Sequence, residues 1–67
     1  MICKFSVVPD GEVLMYRYGS GDTFEKALLH FGINPDTVLV YHNGVSLPVD
    51  KKIEEEEVEI ILTCSRG

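Results

Sequence analysis

The chain reads as one α+β domain with elements in the order β-β-α-β-β-β: a mixed sheet of four to five strands with one helix packed across one face. Three observations predict this. Apolar residues alternate with period two at both ends of the chain, which marks strands. A single stretch carries the i, i+3, i+4, i+7 apolar spacing of a helix. One helix with one apolar face needs a sheet to cover it.

The first strand is Ile2–Val8. Cys3, Phe5 and Val7 alternate with Ile2, Lys4 and Ser6, and the more apolar set is expected to face the core. Pro9-Asp10-Gly11 is a turn signal. Glu12–Tyr18 follows as a second strand, so the two form an antiparallel hairpin. Arg17 is expected to point outward, which puts Leu14, Tyr16 and Tyr18 inside and Val13 and Met15 outside.

Gly19-Ser20-Gly21 breaks the strand, and a helix signature begins. Asp22 is a good N-cap residue, and Glu25 three positions later completes an approximate capping box. Phe24, Ala27, Leu28 and Phe31 share one helical face, and Gly32 suits the position just past the helix end. The helix is predicted at about Thr23–Phe31, with Ile33 folding back as an apolar clasp.

After the loop Asn34-Pro35-Asp36, the segment Thr37–His42 is β-rich. It is apolar on both sides, so two phases stay open: Leu39 and Tyr41 outside, or Val38 and Val40 outside. Asn43-Gly44 is the strongest short hairpin signal in the chain. Val45–Leu47 is a short return strand, and Pro48 marks its end or an edge. Asp50–Glu57 is a charged connector with one helical turn expected around Ile53. Val58–Cys64 is the last strand, with Val58, Ile60, Leu62 and Cys64 on its inner side. The first and last strands fit best as parallel neighbours at the centre, which is the β-grasp arrangement.

Sixty-seven residues make one domain, 1–67, with a short tail at 65–67. A chain of this size buries only about 60% of its unfolded surface, which disfavours a large internal active site. The 45% apolar and 25% charged composition is that of a globular chain. No run approaches the roughly 18 apolar residues of a membrane span. The N-terminus lacks a secretory pattern, so the chain reads as cytoplasmic. The net charge is −5, with Glu54, Glu55, Glu56, Glu57 and Glu59 clustered. Nucleic-acid binding draws on Lys and Arg, and six scattered basic residues are a poor supply.

Cys3 and Cys64 show no metal-ligand spacing and no CxxC. If the first and last strands run parallel, the two are expected about four residues out of register, roughly 13 Å apart. That is too far for a disulfide, so both are read as reduced structural thiols. His30 and His42 have no companions at ligand spacing, and the Glu run has no calcium-loop pattern, so no metal site is assigned.

Three residues follow the last strand pattern: Ser65, Arg66 and Gly67. Glycine has no Cβ and can thread a narrow channel, which suits a C-terminus handled by another protein. An ordinary frayed tail accounts for the same residues.

The chain resembles the ubiquitin-like β-grasp proteins. More narrowly, it resembles the sulfur carriers of thiamin and molybdopterin synthesis and the archaeal ubiquitin-like small modifiers. The resemblance covers essentially the whole chain. It is carried by the opening hairpin around Pro9-Asp10-Gly11-Glu12, the Gly-Ser-Gly-Asp-Thr-Phe run at 19–24, VLVYHNGVSLPVD at 38–50 and EVEIILTCSRG at 57–67. Two departures stand out. That family usually ends in Gly-Gly, whereas Arg66 precedes Gly67 here; it usually has a Gly-Asp turn before its last strand, where this chain has Glu54–Glu57.

The resemblance implies a substrate rather than a catalyst. An adenylating enzyme would use ATP to activate the Gly67 carboxylate, and the protein itself would bind no cofactor. Sulfide or a persulfide would then give a thiocarboxylate, or a lysine amine an isopeptide bond. Ser65 and Arg66 would contact the partner's channel. The implied partners are the activating enzyme and either a sulfur-acceptor enzyme or target-protein lysines. The chain is expected to be a monomer, with no nucleic-acid or membrane partner. Met15, Leu39, Tyr41 and Ile61 are the expected partner-binding face, because an exposed apolar patch marks an interaction site and this face is the usual docking surface in ubiquitin-like proteins. Two rival readings are a non-conjugating β-grasp interaction module and a stand-alone TGS-type regulatory domain.

Overall fold

Alternation in the first strand, β1 (Ile2–Val8), puts Cys3, Phe5 and Val7 fully inside. The computed structural model describes residues 1–63. A tight turn carries the chain into β2 (Glu12–Arg17), which pairs antiparallel with β1. Gly11 takes φ +80° in that turn, a conformation that suits glycine. Leu14 and Tyr16 point to the core side, Val13 and Met15 point away, and Tyr18 is buried just past the strand.

The helix α1 spans Phe24–His30. Its N-cap is Thr23, not the expected Asp22: the Thr23 side chain accepts from the Lys26 N–H at 3.2 Å. Asp22 is held by the loop instead. Its carboxylate accepts from the Gly19 N–H at 3.0 Å, and its carbonyl accepts from the Ile53 N–H at 2.8 Å. Moving the cap by one residue takes Glu25 out of capping-box position. The connector covers the helix start: Phe24 N–H donates to Lys51 O and Glu25 N–H to Val49 O. The C-terminal end is a Schellman motif. Ile33 N–H reaches Leu28 O at 2.8 Å, Gly32 N–H reaches Leu29 O at 3.0 Å, and Gly32 has φ +78°. Ile33 then packs against the core, as the sequence predicts.

A 3-10 turn at Pro35–Thr37 leads into β3 (Val38–His42). The open question of phase is resolved: Val38 and Val40 are buried, and Leu39 is on the outer side. Asn43 and Gly44 both take positive φ, 52° and 82°, and close a hairpin into β4 (Val45–Leu47). The expected helical turn around Ile53 is absent. Ile53 is drawn into the core, and the backbone beside it forms an antiparallel bridge between Lys52 and Thr23. An extended connector satisfies both, and a helical turn would break them.

The last strand, β5 (Glu57–Leu62), inserts between β1 and β3, parallel to the first and antiparallel to the second. The sheet order is β2-β1-β5-β3-β4. Phe24, Ala27 and Leu28 of α1 share one core with Phe5, Val40, Val58 and Ile60. This is a five-stranded mixed sheet under one helix, the α+β order and β-grasp arrangement that the sequence predicts. The β1–β5 register differs from the expected one. Lys4 is level with Glu57, so Cys3 lies one residue farther back while Thr63 lies six residues ahead, already roughly 20 Å along the strands. Cys3 is a buried free thiol, and Cys64 lies outside the described residues.

Candidate functional site

The sheet face turned away from the helix is built from the odd residues of β2, β3 and β5 and the even residues of β1. Its register arranges them in rows across the strands. Val8, Ile61 and Leu39 form one row. Val13, Ser6, Glu59, Tyr41 and Ser46 form the next. Met15, Lys4 and Glu57 form a third, where the Lys4 ammonium lies 3.5 Å from the Glu57 carboxylate.

The four residues expected to make one apolar patch all lie on this face, but they are not contiguous. Leu39 and Ile61 are neighbours, and Tyr41 stands two residues along β3 from Leu39. Met15 is two strands and two rows away from Ile61, roughly 16 Å by strand spacing and rise. Ser6, Lys4, Glu57 and Glu59 intervene. The contiguous apolar unit is instead Val8–Ile61–Leu39 with Tyr41 at its border. Sequence reasoning missed Val8, which is 38% exposed. Its alternation with Ile2, Lys4 and Ser6 already put it outside; the missing information was the β1–β5 register that sets it beside Ile61.

A shallow hollow of about 350 Å³ lies alongside, lined by Ser6, Tyr41, His42, Glu57 and Glu59 among others. The His42 ring is fixed at its border: Nδ1–H donates to the Glu57 carbonyl at 2.9 Å, and Nε2 faces the Asn43 side-chain amide at 3.3 Å. His30 instead packs its ring against Tyr16 and Phe31. Among the described residues, no group of three or more His, Cys, Asp or Glu side chains is placed to hold a metal.

The acidic connector is partly neutralised. Lys51 lies 3.3 Å from Glu54 and 3.0 Å from Glu55, with its ammonium over the Phe24 ring at 5.9 Å. Its hydrogen bond to Glu55 holds the Lys51 pKa above its ordinary value. Burial raises the Glu55 carboxyl, but bonds from Lys51 and the Glu54 backbone outweigh it and leave the pKa lowered. Cys3 is different. Burial, with the nearby charges of Glu55 and Glu57 adding to it, raises its pKa to about 11. A thiol kept protonated this way is a poor nucleophile.

At the end of β5, Thr63 is tied to the start of β3. Its N–H and its Oγ1–H both donate to Thr37 O, each at 3.0 Å. Ile61 precedes it by two residues, so the apolar row and the C-terminal end of β5 share one end of the molecule. Ser65, Arg66 and Gly67, the expected tail contacts and activated terminus, lie outside the described residues.

Together these features define a small α+β domain of β-grasp arrangement with one exposed, partly apolar sheet face. No helix among the described residues is long and apolar enough to cross a membrane. No family model matches the chain. It is 35% identical over 48 residues, 72% of each chain, to an uncharacterized protein of Archaeoglobus fulgidus. The chain belongs to the same family as that archaeal protein.

Proposed function

We propose that this protein is a small ubiquitin-like carrier or modifier whose Gly67 carboxylate is activated by an adenylating enzyme. The observation that carries the reading is the shared end: the Val8–Ile61–Leu39 row lies beside the C-terminal end of β5. A partner seated on that row is positioned to receive the residues that follow Thr63.

The chemistry belongs to the partner. A carboxylate is a poor electrophile. Its oxygen attacks the α-phosphorus of ATP, pyrophosphate leaves, and the resulting acyl-adenylate is a good electrophile. Sulfide attack at the carbonyl then expels AMP and leaves a thiocarboxylate; a lysine amine attacking there gives an isopeptide. An unbranched glycine offers the least crowded carbon for either attack.

Intact mass after incubation with the cognate adenylating enzyme, ATP and a sulfur donor tests the reading. The expected product is heavier by the difference between sulfur and oxygen. An unchanged mass, with no lysine conjugate under the same conditions, would overturn it. Arg66, where the ubiquitin-like carriers the chain resembles usually have a penultimate glycine, favours the second reading, an interaction module that uses the sheet face alone. Deleting Gly67 separates the two, because such a module keeps its partner.

A further inference from the structure

Among the described residues the sheet has two edges, β2 and β4. An edge strand presents unpaired backbone donors and acceptors, and proteins commonly blunt such edges with Pro, Lys, bulges or short length. The β4 edge is blunted: it has three residues, and Pro48 follows. The β2 edge is blunted less: it has six residues, no Pro or Lys, and an unbroken register against β1, with its charges, Glu12 and Arg17, confined to its two ends.

The direction of its free groups follows from one pair. Tyr18 N–H donates to Met1 O at 2.7 Å, and the Met1 ammonium faces Tyr18 O at 3.4 Å. Hydrogen-bonded and non-bonded positions alternate along an antiparallel pair. Tyr16 and Leu14 therefore bond towards β1, while Val13, Met15 and Arg17 direct their backbone groups away from the sheet. Val13 and Met15 are also 54% and 59% exposed.

We propose that β2 pairs antiparallel with β2 of a second copy, with Met15 on the twofold axis. The sequence of this strand is complementary to itself in that register. Val13 faces Arg17 of the other copy and Met15 faces Met15, and each of these pairs exchanges its free backbone bonds. On the helix side, Leu14 meets Tyr16 of the other copy, which extends an apolar row already present in each. Glu12 faces Tyr18, so no like charges are opposed. Glu12 and Arg17 also cancel within the strand, so a chain of net charge −5 meets its copy along a neutral segment. In this arrangement one sheet runs continuously through two copies, where the sequence reading expects a monomer. The Val8–Ile61–Leu39 row and the β5 terminus stay free, so the pairing does not depend on the carrier reading.

Sedimentation equilibrium of the full chain tests it, with two variants at exposed positions. The wild-type chain is expected to show a concentration-dependent monomer–dimer equilibrium. Met15→Lys places like charges across the axis and is expected to raise the dissociation constant about tenfold. Val13→Glu places a carboxylate opposite Arg17 and is expected to tighten the dimer severalfold. A monomer at every concentration up to the millimolar range overturns the proposal. So does a dimer indifferent to Met15→Lys, or one not tightened by Val13→Glu.

Discussion

Thr63 gives both its backbone N–H and its hydroxyl to the carbonyl of Thr37, each at 3.0 Å. A single acceptor thus closes the end of β5 onto the start of β3. The hydroxyl bond is solvent-exposed, so its net worth is at the low end for a hydrogen bond, on the order of 0.5–1 kcal/mol. Thr63→Val keeps the β-branched shape and removes only that bond. It is expected to speed amide exchange at Thr63 with little change in overall melting temperature. A drop of several degrees in the melting temperature would mean that this tie holds more than the strand end.

The helix start offers a cleaner comparison. Thr23 Oγ1 caps the Lys26 N–H, so Thr23→Ala is expected to cost about 1 kcal/mol at any pH. Asp22 acts differently, as a loop carboxylate. The Gly19 N–H, ahead of Lys26, holds its pKa below the ordinary 3.8. A lowered carboxylate contributes stability above its ordinary pKa and loses it as pH falls through the folded value. Asp22→Asn is therefore expected to flatten part of the acid dependence of stability between about pH 4 and lower values. Thermal melts of both variants at neutral and acid pH check this; a Thr23→Ala loss that vanishes in acid would reverse the assignment.

The same two residues show why part of the fold was legible in the sequence and part was not. Alternation in Ile2–Val8 and the Phe24-Ala27-Leu28 spacing are local patterns, and the structure follows them. Asp22 and Thr23 are both good caps by residue type. The choice between them is made by Ile53, thirty-one positions later, whose N–H takes the Asp22 carbonyl. That tertiary bond also removes the helical turn expected around Ile53. The phase of β3 was ambiguous because Val38–Tyr41 is apolar throughout; the core shared with the helix decides it, since Val38 and Val40 are buried there. The outer face failed in another way. Its residues were identified by type, but contiguity depends on the β1–β5 register, which no local pattern in this chain specifies.

Cys3 gives a prediction of opposite sign to Asp22. Burial and the nearby Glu55 and Glu57 raise its pKa from 9.0 to about 11. A raised folded value means that the neutral thiol is favoured in the native state. Its contribution is fully present below pH 9.0, the unfolded value, and is lost as pH rises to about 11. Cys3→Ala is expected to lower stability at neutral pH, by about 1 kcal/mol or somewhat more for the buried volume removed, and to weaken the alkaline decline. Denaturant melts between neutral pH and pH 11 check it. In the wild-type chain, native Cys3 is expected to resist thiol reagents that react freely once denaturant is added; rapid native labelling at Cys3 would contradict the buried, protonated state.

The exposed row supplies the prediction closest to function. Leu39 is 42% exposed and sits beside Ile61, so Leu39→Asp removes little packing. Stability is expected to change by no more than about 0.5–1 kcal/mol, as for most surface substitutions. A charge set into a docking row costs far more in binding, on the order of 2 kcal/mol where the residue is an anchor. Val45→Asp is the matched control, since Val45 is more exposed at 61% but lies on the short edge strand away from the row. In an assay of Gly67 activation by the cognate adenylating enzyme, Leu39→Asp is expected to raise the half-saturating carrier concentration more than tenfold, with Val45→Asp near wild type. Equal effects from the two would separate the Val8–Ile61–Leu39 row from docking, because a nonspecific charge effect acts at both positions and a seated partner at only one.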